Sequence, residues 1–168
     1  MYENIQLDIS ETPEKYRLNI TTILQPLIKL LRDINKLEDS YFALNQQKNQ
    51  AKLKQGIPAH QCYPGWKLVQ QEYRQKYFNL IKPLCSEKLL KRGYALSLSK
   101  PSAFFYVNTD CKLKFIMKSA HKASVIFFYE WGIAKKDKFV LRNIDGQWKI
   151  DEFYYGYPEQ KTWHIYNL

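Results

Sequence analysis

From Ile20 onward, apolar side chains recur every three or four positions: Ile20, Ile23, Leu24, Leu27, Ile28, Leu31 and Ile34, with Tyr41 and Phe42 prolonging the stripe. That period is the signature of an amphipathic helix with one face packed on something apolar. Thr12 as N-cap, Pro13 at the first helical position and Glu14 in the first turn supply its start signal. Pro26 lies inside the pattern, where its missing N–H and its ring predict a kink or a split. A lysine- and glutamine-rich stretch runs from Asn45 to Gln55, and Gly56 is placed to cap the helix.

Residues 56–65 (GIPAHQCYPG) carry two prolines and two glycines and read as loop. A second helix is predicted from about Trp66 to Lys82, with a buried seam of Trp66, Val69, Tyr73, Tyr77, Leu80 and Leu84. Lys67, Gln71, Arg74 and Lys82 fall on its opposite, solvated side. Pro83 disrupts this helix, Ser86 can cap a short one, and Gly93 can end it.

Past Pro101 the period changes to 2. Cys111, Leu113, Phe115 and Met117 alternate with Lys112, Lys114 and Lys118, which predicts a strand with one buried and one wet face. Ser119 to His121 read as a turn, and Ala123 to Trp131 is apolar on both faces, as a covered central strand would be. Lys135 to Asp137 read as the next turn. Phe139 and Leu141 lead to Asp145-Gly146, a strong hairpin signal, and Trp148 and Ile150 return. Thr162 to Leu168 offers a last short strand. The expected fold is α+β, N-terminal helices packed on a curved antiparallel meander. One domain spans 1–168, divided into an N-terminal helical extension (1–55), basic helices (56–100) and the antiparallel sheet (101–168).

Composition sharpens this picture. With 45% apolar and 15% aromatic residues, 168 residues can bury a core of their own. The opening MYENIQLDISETPEKY lacks the basic and apolar regions of a signal peptide, and no apolar run reaches membrane-spanning length, so a cytoplasmic protein is expected. Cys62, Cys85 and Cys111 are odd in number and never spaced C-x-x-C, which suits buried structural thiols. The net charge of +10 is uneven. Residues 1–40 hold 5 basic and 7 acidic side chains, residues 41–100 hold 11 and 2, and residues 101–168 hold 10 and 7. The basic excess therefore sits in the middle segment, where it either solvates a helix face or steers an acidic partner.

The hairpin FVLRNIDGQWKIDEFYYG carries a resemblance. Phe139 and Leu141, the Asp145-Gly146 turn and Trp148-Lys149-Ile150-Asp151, preceded by helices, resemble the nuclear-transport-factor-2-like fold over roughly residues 60–168. With the helical segment and the closing Trp163 and Tyr166, the chain is similar to the immunity proteins of bacterial polymorphic toxin systems that share this cystatin-like cone. The resemblance implies a cytosolic protein that binds a cognate toxin domain and blocks it, with no cofactor and no turnover. It also implies that dimerisation through the sheet face is an option. The fold hosts isomerases, dehydratases and binding modules as well, so it does not decide function.

Catalytic and metal signatures are mostly missing from the sequence: no GxSxG, P-loop, GxGxxG or HExxH, and His60, His121 and His164 are far apart. No metal or cofactor is expected. An enzymatic alternative, an isomerase or dehydratase, would use the cone's cavity with a carboxylate and a phenol, from Asp110, Glu130, Tyr129, Tyr154 and Asp151. If Val125, Phe127, Tyr129 and Trp131 point inward, large rings fill that space and Trp131, Trp148 and Tyr129 are plain core. On the opposite sheet face, Lys112, Lys114 and Lys118 are expected beside Arg142, Lys149 and Tyr155. The tail FYYGYPEQKTWHIY puts six aromatic rings into fourteen residues, of the types that anchor interfaces. The predicted partner-binding set is Lys67, Arg74, Lys112, Lys114, Lys118, Lys149, Tyr155, Tyr157 and Trp163, facing a toxin domain with an acidic surface. Nucleic acid is the third reading, weakened by 21 Lys against 5 Arg and by the lack of a recognition motif.

Overall fold

The computed structural model of the chain describes residues 4–94, 98 and 100–168. The chain is α+β, with helices followed by an open mixed sheet of six strands in the order β1 to β6. The elements are β1 (Ile5–Asp8), α1 (Glu14–Arg17), α2 (Asn19–Lys54), α3 (Trp66–Ile81) and α4 (Glu87–Arg92). A 3-10 turn (Phe105–Asn108) leads to β2 (Cys111–Ser119), β3 (Lys122–Trp131), β4 (Ile133–Ile144), β5 (Gln147–Gly156) and β6 (His164–Tyr166).

The N-terminus departs from expectation. Residues 5–8 form a strand parallel to β2, pairing Ile5 with Cys111 and Leu7 with Leu113, so the sheet is not purely antiparallel. Thr12 is not a helix cap. Its buried hydroxyl donates to the Phe115 carbonyl (2.8 Å) and accepts from the Met117 N–H (3.2 Å), stitching the chain onto β2. Pro13 occupies the cap position instead. Pro26 does not split α2, which stays helical for 36 residues. The proline and Thr22, whose carbonyl loses its helical N–H donor to the ring, both lie on the exposed side, where solvent can reach that oxygen. Gly56 takes φ +78 just past Gln55 and ends the helix as expected.

The apolar stripe of α2 packs on the sheet and on α3 through Ile23, Leu24, Leu27, Ile28, Leu31, Ile34 and Tyr41. Tyr73, Tyr77 and Ile81 form the buried seam of α3, while Trp66 stands 36% exposed. Ser86 caps α4 through its hydroxyl, which accepts from the Leu89 N–H. The same loop lies along β5, where Ser86 N–H bonds to the Ile150 carbonyl and Ile150 N–H to the Leu84 carbonyl.

Strand β2 alternates as predicted, with Cys111, Leu113, Phe115 and Met117 buried. The expected turn at Lys135–Asp137 is wrong: β4 runs unbroken from Ile133, and the reversal is made at Gly132 (φ +69). Asp145 (φ 50) and Gly146 (φ 80) form the β4–β5 turn, both in the left-handed region that a tight two-residue hairpin needs. One residue of β5 is extra: Val140 pairs with Glu152 but Leu141 with Ile150, so Asp151 bulges.

Candidate functional site

The bulge at Asp151 decides which side chains meet. On its hairpin side, Lys149 shares a register position with Arg142 on the outer sheet face. Beyond it the phase inverts, and Phe153 and Tyr155 join the inner face opposite Phe139 and Asp137. Period-2 counting from Lys149 placed Tyr155 outward, and the extra residue overturns that.

Inward of Tyr155 lies a cleft of about 540 Å³ between the sheet and the helical layer. Strands β3 and β4 supply Tyr129, Trp131, Lys135 and Asp137 to it. Glu38 and Tyr77 come from α2 and α3, Phe104 and Phe105 from the connection before β2, and Tyr155, Tyr157 and Tyr166 from the C-terminal segment. Of the three rings expected as plain core, Tyr129 and Trp148 pack partly buried against it, and the expectation fails for Trp131. Trp131 is 55% exposed at the rim.

Two carboxyls line this cleft. Asp137, 5% exposed, accepts a hydrogen bond from the Tyr106 hydroxyl at 2.8 Å, and the Tyr129 phenol lies near it. The rings of Tyr106 and Tyr129 stack 4.1 Å apart, which fixes both phenols beside the carboxyl. Burial pushes Asp137 up to about 6, against the pull of the two phenols and of Lys135. Glu38 accepts the Ala103 N–H at 2.6 Å, and burial pushes it up to about 7. Among the described residues neither carboxyl has an ion-pair partner, although Lys100 at the mouth pairs with Asp39. Next to Glu38 on α2, Asn35 clamps Phe104 from both sides, donating to its carbonyl (2.7 Å) and accepting its N–H (3.0 Å), and so holds the cleft wall in place.

The rim is apolar and wet. Trp131 (55% exposed) packs edge-on against Phe105 at 5.2 Å, and Ile133 lies across the turn from it. Tyr155 stacks on His164 at 5.0 Å and meets Tyr166 edge-on at 5.4 Å. The residues predicted as one partner surface occupy three places. Lys67 and Arg74 stand exposed on α3. Lys112, Lys114 and Lys118 lie on the outer sheet face, where Glu11 pairs with Lys114 (2.5 Å) and Lys118 (3.5 Å). Lys149 donates to the Pro83 carbonyl. The Lys136 and Lys138 ammonium groups both sit over the Trp163 ring, 4.3 and 4.2 Å from its centre. Tyr155 and Tyr157 alone of the set reach the cleft.

The other candidates separate as well. Asp110 and Glu130 line a shallower depression near β1, and Asp151, which accepts from Arg142 and Lys88, is held low, despite its burial, by Ser86, Lys88 and Arg142. Tyr154 donates to Glu152. Cys85 and Cys111 are buried, with burial raising their thiols to about 12 and 11, whereas Cys62 is exposed, contrary to expectation. No group of metal-ligating side chains gathers among the described residues, and no helix there is long and apolar enough to cross a membrane. Asp137 and Glu38 are absent from the predicted set, although Glu38 sits on the apolar stripe of α2 and Asp137 continues the inward alternation of Phe139 and Leu141. No protein-family model, curated protein or solved structure matches the chain.

Proposed function

We propose that this chain is a cytoplasmic immunity protein with the nuclear-transport-factor-2-like cone, binding a cognate toxin domain and blocking it without turnover. The observation that carries this reading is the gathering of exposed rings around one cleft mouth. Trp131, Tyr155 and Tyr166 stand there with Ile133 beside them, large apolar side chains left in water at the open end of the sheet. Aromatic clusters around a concave centre are what protein interfaces use as anchors. The resemblance to immunity proteins, which rests on the hairpin of residues 139–151 together with the helical segment and the closing Trp163 and Tyr166, supports a toxin domain as the partner. Lys67, Arg74 and Lys112, which have no ion pair among the described residues, add a field that steers an acidic partner surface but are not the anchor.

A direct test captures partners of tagged protein from its native cytosol and expresses the captured toxin domain in a heterologous host. Growth arrest reversed by co-expression of this chain supports the reading, provided the variant Trp131→Ala/Tyr166→Ala fails to reverse it. Reversal by that variant as strong as by the parent would reject the rim.

A second reading, acid–base chemistry on a small molecule, is favoured by one observation: Asp137 stands beside a stacked pair of phenols on the wall of an open cleft. It requires Asp137→Asn to abolish turnover of a carbonyl substrate while leaving partner binding intact.

A further inference from the structure

We infer that the cleft is a recognition site for a flat cation of the guanidinium or amidinium class, its charge against Asp137 and its plane between aromatic faces. The inference concerns the chemistry of the occupant and does not depend on the inhibitor reading. A buried carboxylate is normally matched by a cation, because removing its charge from water is costly. Among the described residues Asp137 has a phenol donor but no ion pair, and across the cleft Glu38 accepts a single N–H. Both face an open volume large enough for a planar group of several heavy atoms. The surrounding walls are Phe105, Tyr129, Trp131, Tyr155 and Tyr166, whose ring faces attract a cation and suit a flat one. The charges that oppose entry are Lys135 on β4, which lines the cleft beside Asp137, and Lys100, already neutralised by Asp39.

The test uses the full chain alone and follows Trp fluorescence and calorimetry with benzamidinium against its neutral isostere benzamide. A second pair, N-acetyl-arginine amide against the citrulline analogue, separates a protein side chain from a small molecule as the source. The expected result is saturable binding of at least one cation, about tenfold or more tighter than its isostere. Affinity should fall about tenfold per pH unit once Asp137 protonates below about 6. Asp137→Asn should remove the preference for the charged probe, with its melting curve showing that it folds, and Lys135→Met should tighten binding several-fold. Binding of benzamidinium alone assigns the site to small molecules, and binding of the arginine probe assigns it to a partner's side chain. Equal affinity for charged and neutral probes, or no binding of either cation, overturns the inference. Because no partner enters the assay, that failure leaves the inhibitor reading to its own test.

Discussion

Replacing Asp137 by Asn should make this protein more stable at neutral pH. The carboxyl is raised from 3.8 to about 6 by burial, so between those values the folded state holds a proton that the unfolded state has lost. Stability therefore falls as pH rises through that window, and the ionised carboxylate weighs on the folded state above it. At about 1.4 kcal/mol per pH unit, the shift amounts to roughly 3 kcal/mol, an upper figure. Asn keeps an oxygen able to accept the Tyr106 hydrogen bond while removing the charge. A gain of about 1–3 kcal/mol is expected at pH 7.5, which for a chain of this size raises the melting temperature by about 2–10 °C. Melting curves of both proteins from pH 4 to 8 should show the advantage largest at pH 7.5 and mostly gone near pH 4, where the folded carboxyl is protonated and the unfolded one is only partly ionised. A variant that melts lower than the parent at every pH would refute the reasoning, because the phenols would then stabilise the charge by more than burial costs it.

The same bookkeeping applies to Glu38→Gln, which should gain stability above about pH 7, read from urea midpoints at pH 5 and 8. Thr12→Val keeps the shape but leaves the Met117 N–H and the Phe115 carbonyl without their side-chain partner, so urea titration should show a loss of about 1–3 kcal/mol. Asn35→Ala unclamps both backbone groups of Phe104 and should cost about 2–4 kcal/mol. Hydrogen exchange at the Phe104 amide should accelerate in step, and unchanged protection there would show that Asn35 does not hold the cleft wall. If Lys67 and Arg74 only steer, Lys67→Glu/Arg74→Glu should slow association by about tenfold at low salt and leave dissociation alone, measurable by surface plasmon resonance.

Local patterning carried most of the architecture, because the strong signals are ones that local physics enforces. The stripe from Ile23 to Ile34, the alternation of Cys111 to Met117 and the Asp145-Gly146 turn appear in the structure where they were expected. What escaped were features set by distant partners. Ile5–Asp8 is a strand only because β2 lies 100 residues away to receive it, and Thr12 trades a cap for two bonds to that strand. The KKDK run around Asp137 looks like a turn, yet it belongs to a strand that continues to Gly132. The site suffered most from the bulge, since one extra residue at Asp151 inverts the facing of everything after it. Tyr155 thereby moves from a lysine-lined surface to the cleft.

On the proposed reading the aromatic rim, not the basic faces, holds the partner. That reading is tested most directly by the affinity of the captured toxin domain for three proteins: the parent, Trp131→Ala/Tyr166→Ala, and Lys112→Glu. A loss of about a hundredfold or more is expected for the rim variant and less than about tenfold for Lys112→Glu. The reverse order, with rim truncation tolerated and the outer-face charge reversal disabling, would contradict it.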